Sequence, residues 1–211
     1  MAGNIFTSKQ WGNFALHSGD LTSVTERRTE LSATLNLKRI QFMNQSHSNV
    51  VQVVTAFSRG VIDADGLVTN EKNVGLAVMV ADCIPLLLTA KESVGAIHVG
   101  RVGMVSGIVS IAVARMRELG ATQILAAVGP AICANCYEVS PKIYAEAIQL
   151  VPGSATSVVK HQLNLRSGVE SQLRDFGIRV ANWGSCTSEN NEYFSHRRDS
   201  LSGRQVGVVW L

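Results

Sequence analysis

The stretch Gly75-Leu76-Ala77-Val78-Met79-Val80-Ala81-Asp82-Cys83 decides how this chain is read. Its apolar part is short, rich in Val and closed by a charge, which describes a strand covered on both faces better than an amphipathic helix. A second run, Val94-Gly95-Ala96-Ile97, ends in His98-Val99-Gly100. Two buried strands that stop at a thiol and an imidazole can present both groups at one edge of a sheet. Upstream, His47 sits in the polar turn Asn44-Gln45-Ser46-His47-Ser48-Asn49-Val50. A third ligand of this kind would complete a three-ligand zinc site with an open fourth position, which is the catalytic arrangement. Each residue alone has an ordinary reading: a small buried hydrophobe for Cys83, a core histidine for His98, a solvated loop histidine for His47.

Outward from these runs, helix and strand signals alternate, which indicates one mixed α and β unit over residues 1–211. Strands are expected at Val50–Val54, Gly75–Ala81, Val94–His98, Ile124–Val128, Ile178–Asn182 and Gln205–Leu211. Ser23-Val24-Thr25-Glu26 has the form of a capping box and opens a helix to about residue 35. Val105 to Leu119 carries an apolar stripe stopped by Gly120. Ser140-Pro141 has the order of an N-cap followed by Pro and begins a helix through Ala145 and Ile148. A last helix covers 166–176 and ends at Gly177. The polar segment 183–200 is long for a connection, a length usually associated with function or mobility.

Composition narrows the classes. With 211 residues, 46% hydrophobic and 17% charged, the chain can bury an ordinary core. The apolar region around 74–90 is interrupted by Asp82 and Pro85, so no membrane span is expected. The start Met1-Ala2-Gly3-Asn4-Ile5-Phe6 lacks the basic and apolar parts of a secretory signal, so a cytoplasmic setting is expected. The net charge of +3, without a basic run interleaved with aromatics, argues against nucleic acid. Of four cysteines, Cys133 and Cys136 form a C-x-x-C. No second pair stands at zinc-ribbon spacing and the surroundings are not those of a redox motif, so the pair reads as two ordinary loop thiols.

Three further features bear on chemistry. Asp82 precedes Cys83, and strand alternation would turn the two side chains to opposite sides, leaving Asp82 to orient a ligand, relay a proton or cap buried backbone. Gly100-Arg101-Val102-Gly103 ahead of a helix has the form of an anion-binding turn. In His196-Arg197-Arg198-Asp199, two guanidinium groups can clamp a phosphate or carboxylate, or can form a surface ion-pair cluster.

Taken in order, Gln45–Val50, Asp63-Ala64-Asp65-Gly66-Leu67-Val68-Thr69, Ala81–Leu86, His98–Gly103, Gly129–Ile132 with Tyr137-Glu138-Val139, and Cys186-Thr187 with Phe194–Asp199 resemble the YfiH-like family of laccase-domain, polyphenol-oxidase-like proteins. The resemblance runs from about Phe6 to Leu211. It implies an α+β fold with central mixed β-sheets flanked by helices, and a metal site on His47, Cys83 and His98. The implied metal is zinc, with copper as the alternative behind the family's older oxidase name. The implied activity is phosphorolysis of purine nucleosides, with adenosine deamination and methylthioadenosine cleavage in the same site. A purine nucleoside and phosphate would be the small-molecule partners, and a monomer is expected. On this reading Arg197 and Arg198 bind phosphate, and Arg101 substitutes for a family arginine. The family pattern H-A-G-W-R-G is here His98-Val99-Gly100-Arg101-Val102-Gly103, so the Trp is absent and the Arg is displaced by one position. The N-terminal T-R-x-G-G-V-S is shortened, with Lys9 as the nearest cation.

The other readings are a metal- and nucleoside-binding protein without turnover, a metal-free Cys83–His98 hydrolase, and a copper-dependent phenol oxidase. A three-copper cluster needs many imidazoles, and this chain has five His in all.

Overall fold

A computed structural model describes residues 2–157, 160–182 and 184–211. In chain order the strands are β1 (Gly3–Phe6), β2 (Arg39–Gln41), β3 (Met43–Asn44), β4 (Val51–Val53), β5 (Ile62–Asp63), β6 (Gly66–Thr69), β7 (Val74–Val80), β8 (Ile84–Thr89), β9 (Val94–Val99), β10 (Leu125–Val128), β11 (Ala155–Ser157), β12 (Gln162–Leu163), β13 (Arg179–Asn182) and β14 (Gln205–Trp210). The helices are α1 (Leu21–Thr34), α2 (Arg101–Val105), α3 (Ile108–Glu118), α4 (Pro141–Leu150) and α5 (Leu165–Asp175). One mixed sheet has the order β1-β14-β7-β2 and another β13-β10-β8-β9-β6-β4. This is the expected α+β class with mixed sheets.

The two sheets stack face to face, and period-two alternation sorts their side chains into layers. Leu76, Val78 and Val80 of β7 meet Leu87 of β8 and Val94 and Ala96 of β9 between the sheets. Leu86, Leu88, Ile97 and Val99 point the other way, onto Val109, Ala112, Val113 and Met116 of α3 and Val169 and Leu173 of α5. Ala77, Val206 and Val208 face α1 through Leu31, with Phe14 and Phe42 filling the layer. Both sheets are therefore covered on both faces, and this explains their unbroken apolar runs. Each fully buried Leu or Val contributes about 1.5–3 kcal/mol. No helix among the described residues is long and apolar enough to cross a membrane.

Two expectations of detail are corrected. The apolar region 74–89 holds two strands, one in each sheet, so β8 is an additional strand beginning at Ile84. The chain changes sheets at Ala81-Asp82-Cys83, where Asp82 takes φ 94°. Asp82 is thus in a turn, and strand alternation does not govern its direction. The helix expected from Val105 is divided: α2 closes at Val105, and Gly107, at φ 82°, lets the chain restart as α3. A Cβ-bearing residue rarely adopts that conformation. α1 begins before the Ser23 box, because Asp20 accepts the Ser23 N–H at 2.8 Å as N-cap.

Candidate metal centre and its cavity

Strand pairing places the thiol beside the imidazole. β8 and β9 run antiparallel, with Pro85 opposite His98 and Ile84 opposite Val99. Cys83, just before β8, therefore meets the end of β9 at one sheet edge. His47 arrives from the loop between β3 and β4. The ligand atoms of His47, Cys83 and His98 lie within 4.8 Å of one another. Cys83 Sγ is 3.7 Å from His47 Nε2, and the two imidazole rings are 4.8 Å apart at 74°. A tetrahedral ion with metal–sulfur and metal–nitrogen bonds of about 2.3 and 2.0 Å separates sulfur from nitrogen by about 3.5 Å and nitrogen from nitrogen by about 3.3 Å. The donor set thus fits a zinc-sized ion with little adjustment.

Asp65 organises the other side. Its carboxylate is fully buried and lies 2.7 Å from His98 Nδ1, which leaves Nε2 for a metal. It also accepts the backbone N–H groups of Ser46, His47 and Ser48 at 3.1, 3.0 and 2.6 Å, and the Ser48 hydroxyl at 2.7 Å. One carboxylate therefore orients one imidazole and holds the loop that presents the other. His47 needs that support, since its φ is 62°. Burial opposes the charge on Asp65, but His98 and Ser48 outweigh it and keep the carboxyl well below its ordinary range. Burial likewise opposes a thiolate at Cys83, yet His98 and His47 lower that thiol to about 6. His98 is pushed up to about 9 by the Cys83 thiolate and Asp65 against the effect of burial.

Gly100 lies directly against the ligands. A Cβ there would sit 2.9 Å from His47 Cδ2 and 3.1 Å from Cys83 Sγ, in space the ligands need. This is a specific reason for glycine in the turn leading to Arg101.

The three ligands line a cavity of about 450 Å³, together with Gln45, Tyr137, His196, Arg197, Arg204 and His17. That volume suits a nucleoside-sized ligand. Among the sequence candidates, Arg197 faces this cavity. Its guanidinium donates to the carbonyls of Cys136 and Glu138 at 2.8 and 3.2 Å, 5.5 Å from the Tyr137 ring. Arg101 does not line the cavity; it interacts electrostatically with the side chain of Tyr137, which does. Arg198 does not line the cavity: its guanidinium donates to the carbonyls of Thr187, Ser188, Asn190 and Tyr193 and ties the 187–198 loop. Asp82 lines the cavity, but its carboxylate is engaged by the Thr187 hydroxyl and the Arg197 N–H, each at 2.6 Å. It ties the turn that delivers Cys83 to Thr187 and Arg197.

Sequence reading did not single out Asp65 or Arg204 as functional residues. Arg204 donates to the carbonyls of Ser202 and Gly203 at the entrance to β14 and lines the cavity. Burial lowers its pKa, while Cys83 and Asp82, both close by, oppose that shift. A buried acid immediately before the apolar run of β6 was the available signal for Asp65. Arg204 carried none, because one arginine before a strand is common.

A family model described as multi-copper polyphenol oxidoreductase laccase matches residues 6–211. A protein of Streptomyces coelicolor named purine nucleoside phosphorylase is 39% identical over 203 residues, covering 91% of this chain and 84% of that protein. The purine nucleoside phosphorylase YlmD of Bacillus subtilis is 32% identical over 243 residues, covering 98% and 87%. The crystal structure of a Neisseria meningitidis protein superposes with TM-score 0.89 at 27% identity, covering 100% of this chain and 94% of that one. The YfiH protein of Bacillus licheniformis superposes with TM-score 0.88 at 27% identity, covering 100% and 92%.

Proposed function

The chain belongs to the multi-copper polyphenol oxidoreductase laccase family, and on that premise we propose that it is a zinc-dependent purine nucleoside phosphorylase. Its substrates are adenosine, inosine or methylthioadenosine, which phosphate converts to free base and the corresponding sugar 1-phosphate. The observation that carries this reading is the convergence of His47, Cys83 and His98 on a cavity that Arg197 and Arg204 also face. Relatives named purine nucleoside phosphorylase support it.

In the reaction a phosphate oxygen bonds to C1′ of the ribose, the bond from C1′ to the purine nitrogen breaks, and its electron pair leaves with the base. The first requirement is to hold an anion against a neutral sugar. We assign this to Arg197 and Arg204, which line the cavity, with Arg101 acting beside Tyr137; guanidinium matches the phosphate oxygens two at a time. Arg198 acts through the loop that carries Arg197. Tyr137 offers a ring face and a hydroxyl to the substrate. An ion held by His47, Cys83 and His98 would supply Lewis-acid charge beside the substrate. Asp65 keeps His98 in the tautomer that binds it. Adenosine deamination in the same site is a secondary activity of this proposal. Two imidazoles and one thiolate suit zinc, and a single copper ion is the alternative that metal analysis distinguishes.

The test is release of free base from adenosine and inosine, with and without phosphate and chelator, with Cys83→Ala alongside. Base release that needs phosphate, metal and Cys83 is the expected result, and ammonia from adenosine would report deamination. No release from a folded, zinc-loaded protein would overturn the assignment. Turnover that survives chelation but not alkylation of Cys83 would replace it with the cysteine hydrolase.

A further inference from the structure

A second set of sulfur ligands lies outside the cavity. Cys133, Cys136 and Cys186 converge with Glu189, and their four ligand atoms lie within 4.8 Å of one another. Glu189 Oε1 is 3.6 Å from Cys133 Sγ and 3.4 Å from Cys136 Sγ. Around a tetrahedral ion with metal–sulfur bonds of about 2.3 Å and metal–oxygen bonds of about 2.1 Å, sulfur and oxygen lie about 3.6 Å apart. The thiols are free. The C-x-x-C alone lacks a second pair in sequence, but the fold brings the missing ligands from 53 residues away. A parallel bridge between Ala131 and Cys186 and the Thr187 N–H on the Ala131 carbonyl, at 3.2 Å, hold the two segments side by side.

The backbone around Cys186 is arranged for a sulfur anion. The Cys133 N–H donates to Cys186 Sγ at 3.2 Å, and the backbone of Ser188 and Glu189 also favours the charged form of this thiol. The Cys136 N–H donates to the Cys133 carbonyl at 3.2 Å and closes the turn between the two thiols. A backbone N–H on sulfur is a contact that a metal-bound thiolate accepts. The Arg166 guanidinium, on the Gly184 carbonyl at 3.1 Å, interacts electrostatically with Cys133 and Cys186 and offsets part of the excess negative charge.

We propose that Cys133, Cys136, Cys186 and Glu189 form a second, closed metal site for a thiophilic divalent ion, zinc, distinct from the centre at His47, Cys83 and His98. With four protein ligands and no open position, its role is structural. It fastens two segments that support the cavity. Ile132 donates its N–H to the Asp82 carbonyl at 2.9 Å, Thr187 holds the Asp82 carboxylate, and the Cys136 carbonyl receives Arg197. Losing the ion would release the wall that carries Arg197.

The discriminating material is the full-length Cys83→Ala chain, reduced, stripped of metal and titrated with cobalt(II). Cys83 is the only thiol of the first centre, so any sulfur-to-cobalt charge-transfer absorption in this variant comes from the second cluster. One tightly held cobalt with that absorption is the expected result. A reduced, folded variant that takes up no cobalt, or binds it without the absorption, overturns the proposal. Should Cys83→Ala fail to fold, wild type is compared with Cys136→Ser by metal analysis after zinc loading. Two ions against one is expected, and an unchanged count overturns the proposal.

Discussion

The two ligand clusters of this protein are built by opposite means. His47, Cys83 and His98 are delivered by the ends of packed strands and one strained loop, and a buried carboxylate directs two of them from behind. They leave one side facing a cavity. Cys133, Cys136, Cys186 and Glu189 come from irregular segments on either side of a single bridge and close upon themselves. The first cluster is held by the fold and left open for a ligand; the second holds the fold and has no opening. Sheet-edge geometry supplies precision without spending all the ligands, whereas joining two loops takes a full ligand set.

The largest effect expected from this contrast is that of Cys83→Ala, which removes the only sulfur of the open centre. Metal analysis should show one ion fewer per chain and phosphorolysis should fall to background, with the circular dichroism of the fold retained. Metal-independent turnover in that variant would break the distinction at its root. Asp65→Asn keeps the shape but loses the charge that orients His98 and gathers the 46–48 loop. Metal affinity at the open centre should fall about 10- to 100-fold, as measured by competition with a chromophoric chelator. Affinity at the closed cluster should hold.

Two arginines sharpen the contrast on a smaller scale. Arg204→Ala should raise the KM for phosphate about tenfold, the weight of one charge-assisted hydrogen bond, with a smaller loss of stability than Arg198→Ala because two carbonyls rather than four lose their donor. Arg198→Ala removes donors from four carbonyls and should instead lower stability by about 1–3 kcal/mol in urea titration, with the smaller kinetic effect. If the two variants exchange these phenotypes, the assignment of Arg204 to substrate and Arg198 to the loop is wrong.

Much of the scaffold was legible because continuous apolar runs can be buried only in covered sheets. The strands ending near Asn182, Val128 and Leu211 and the helices at Pro141 and Leu165 lie within a residue or two of their expected bounds. β8 was hidden because its apolar residues continue those of β7, and only the turn at Asp82 separates them. His47, Cys83 and His98 were readable from strand ends and a polar turn. Asp65 was not, because its partners stand 18 and 33 residues away and meet it only through the pairing of β6 with β4 and with β9. Cys186 was hidden from the C-x-x-C for the same reason: spacing along the chain carries no signal for ligands joined by one bridge. Arg198 looked like a phosphate ligand because sequence shows a charge but not the four carbonyls that occupy it.

The most direct test of the central claim is anomalous diffraction at the zinc edge from crystals of the zinc-loaded protein. The account predicts one peak bonded to His47, Cys83 and His98 with its remaining position turned to the cavity. It predicts a second peak enclosed by Cys133, Cys136, Cys186 and Glu189. Zinc-loaded crystals with no peak at His47, Cys83 and His98 would contradict it.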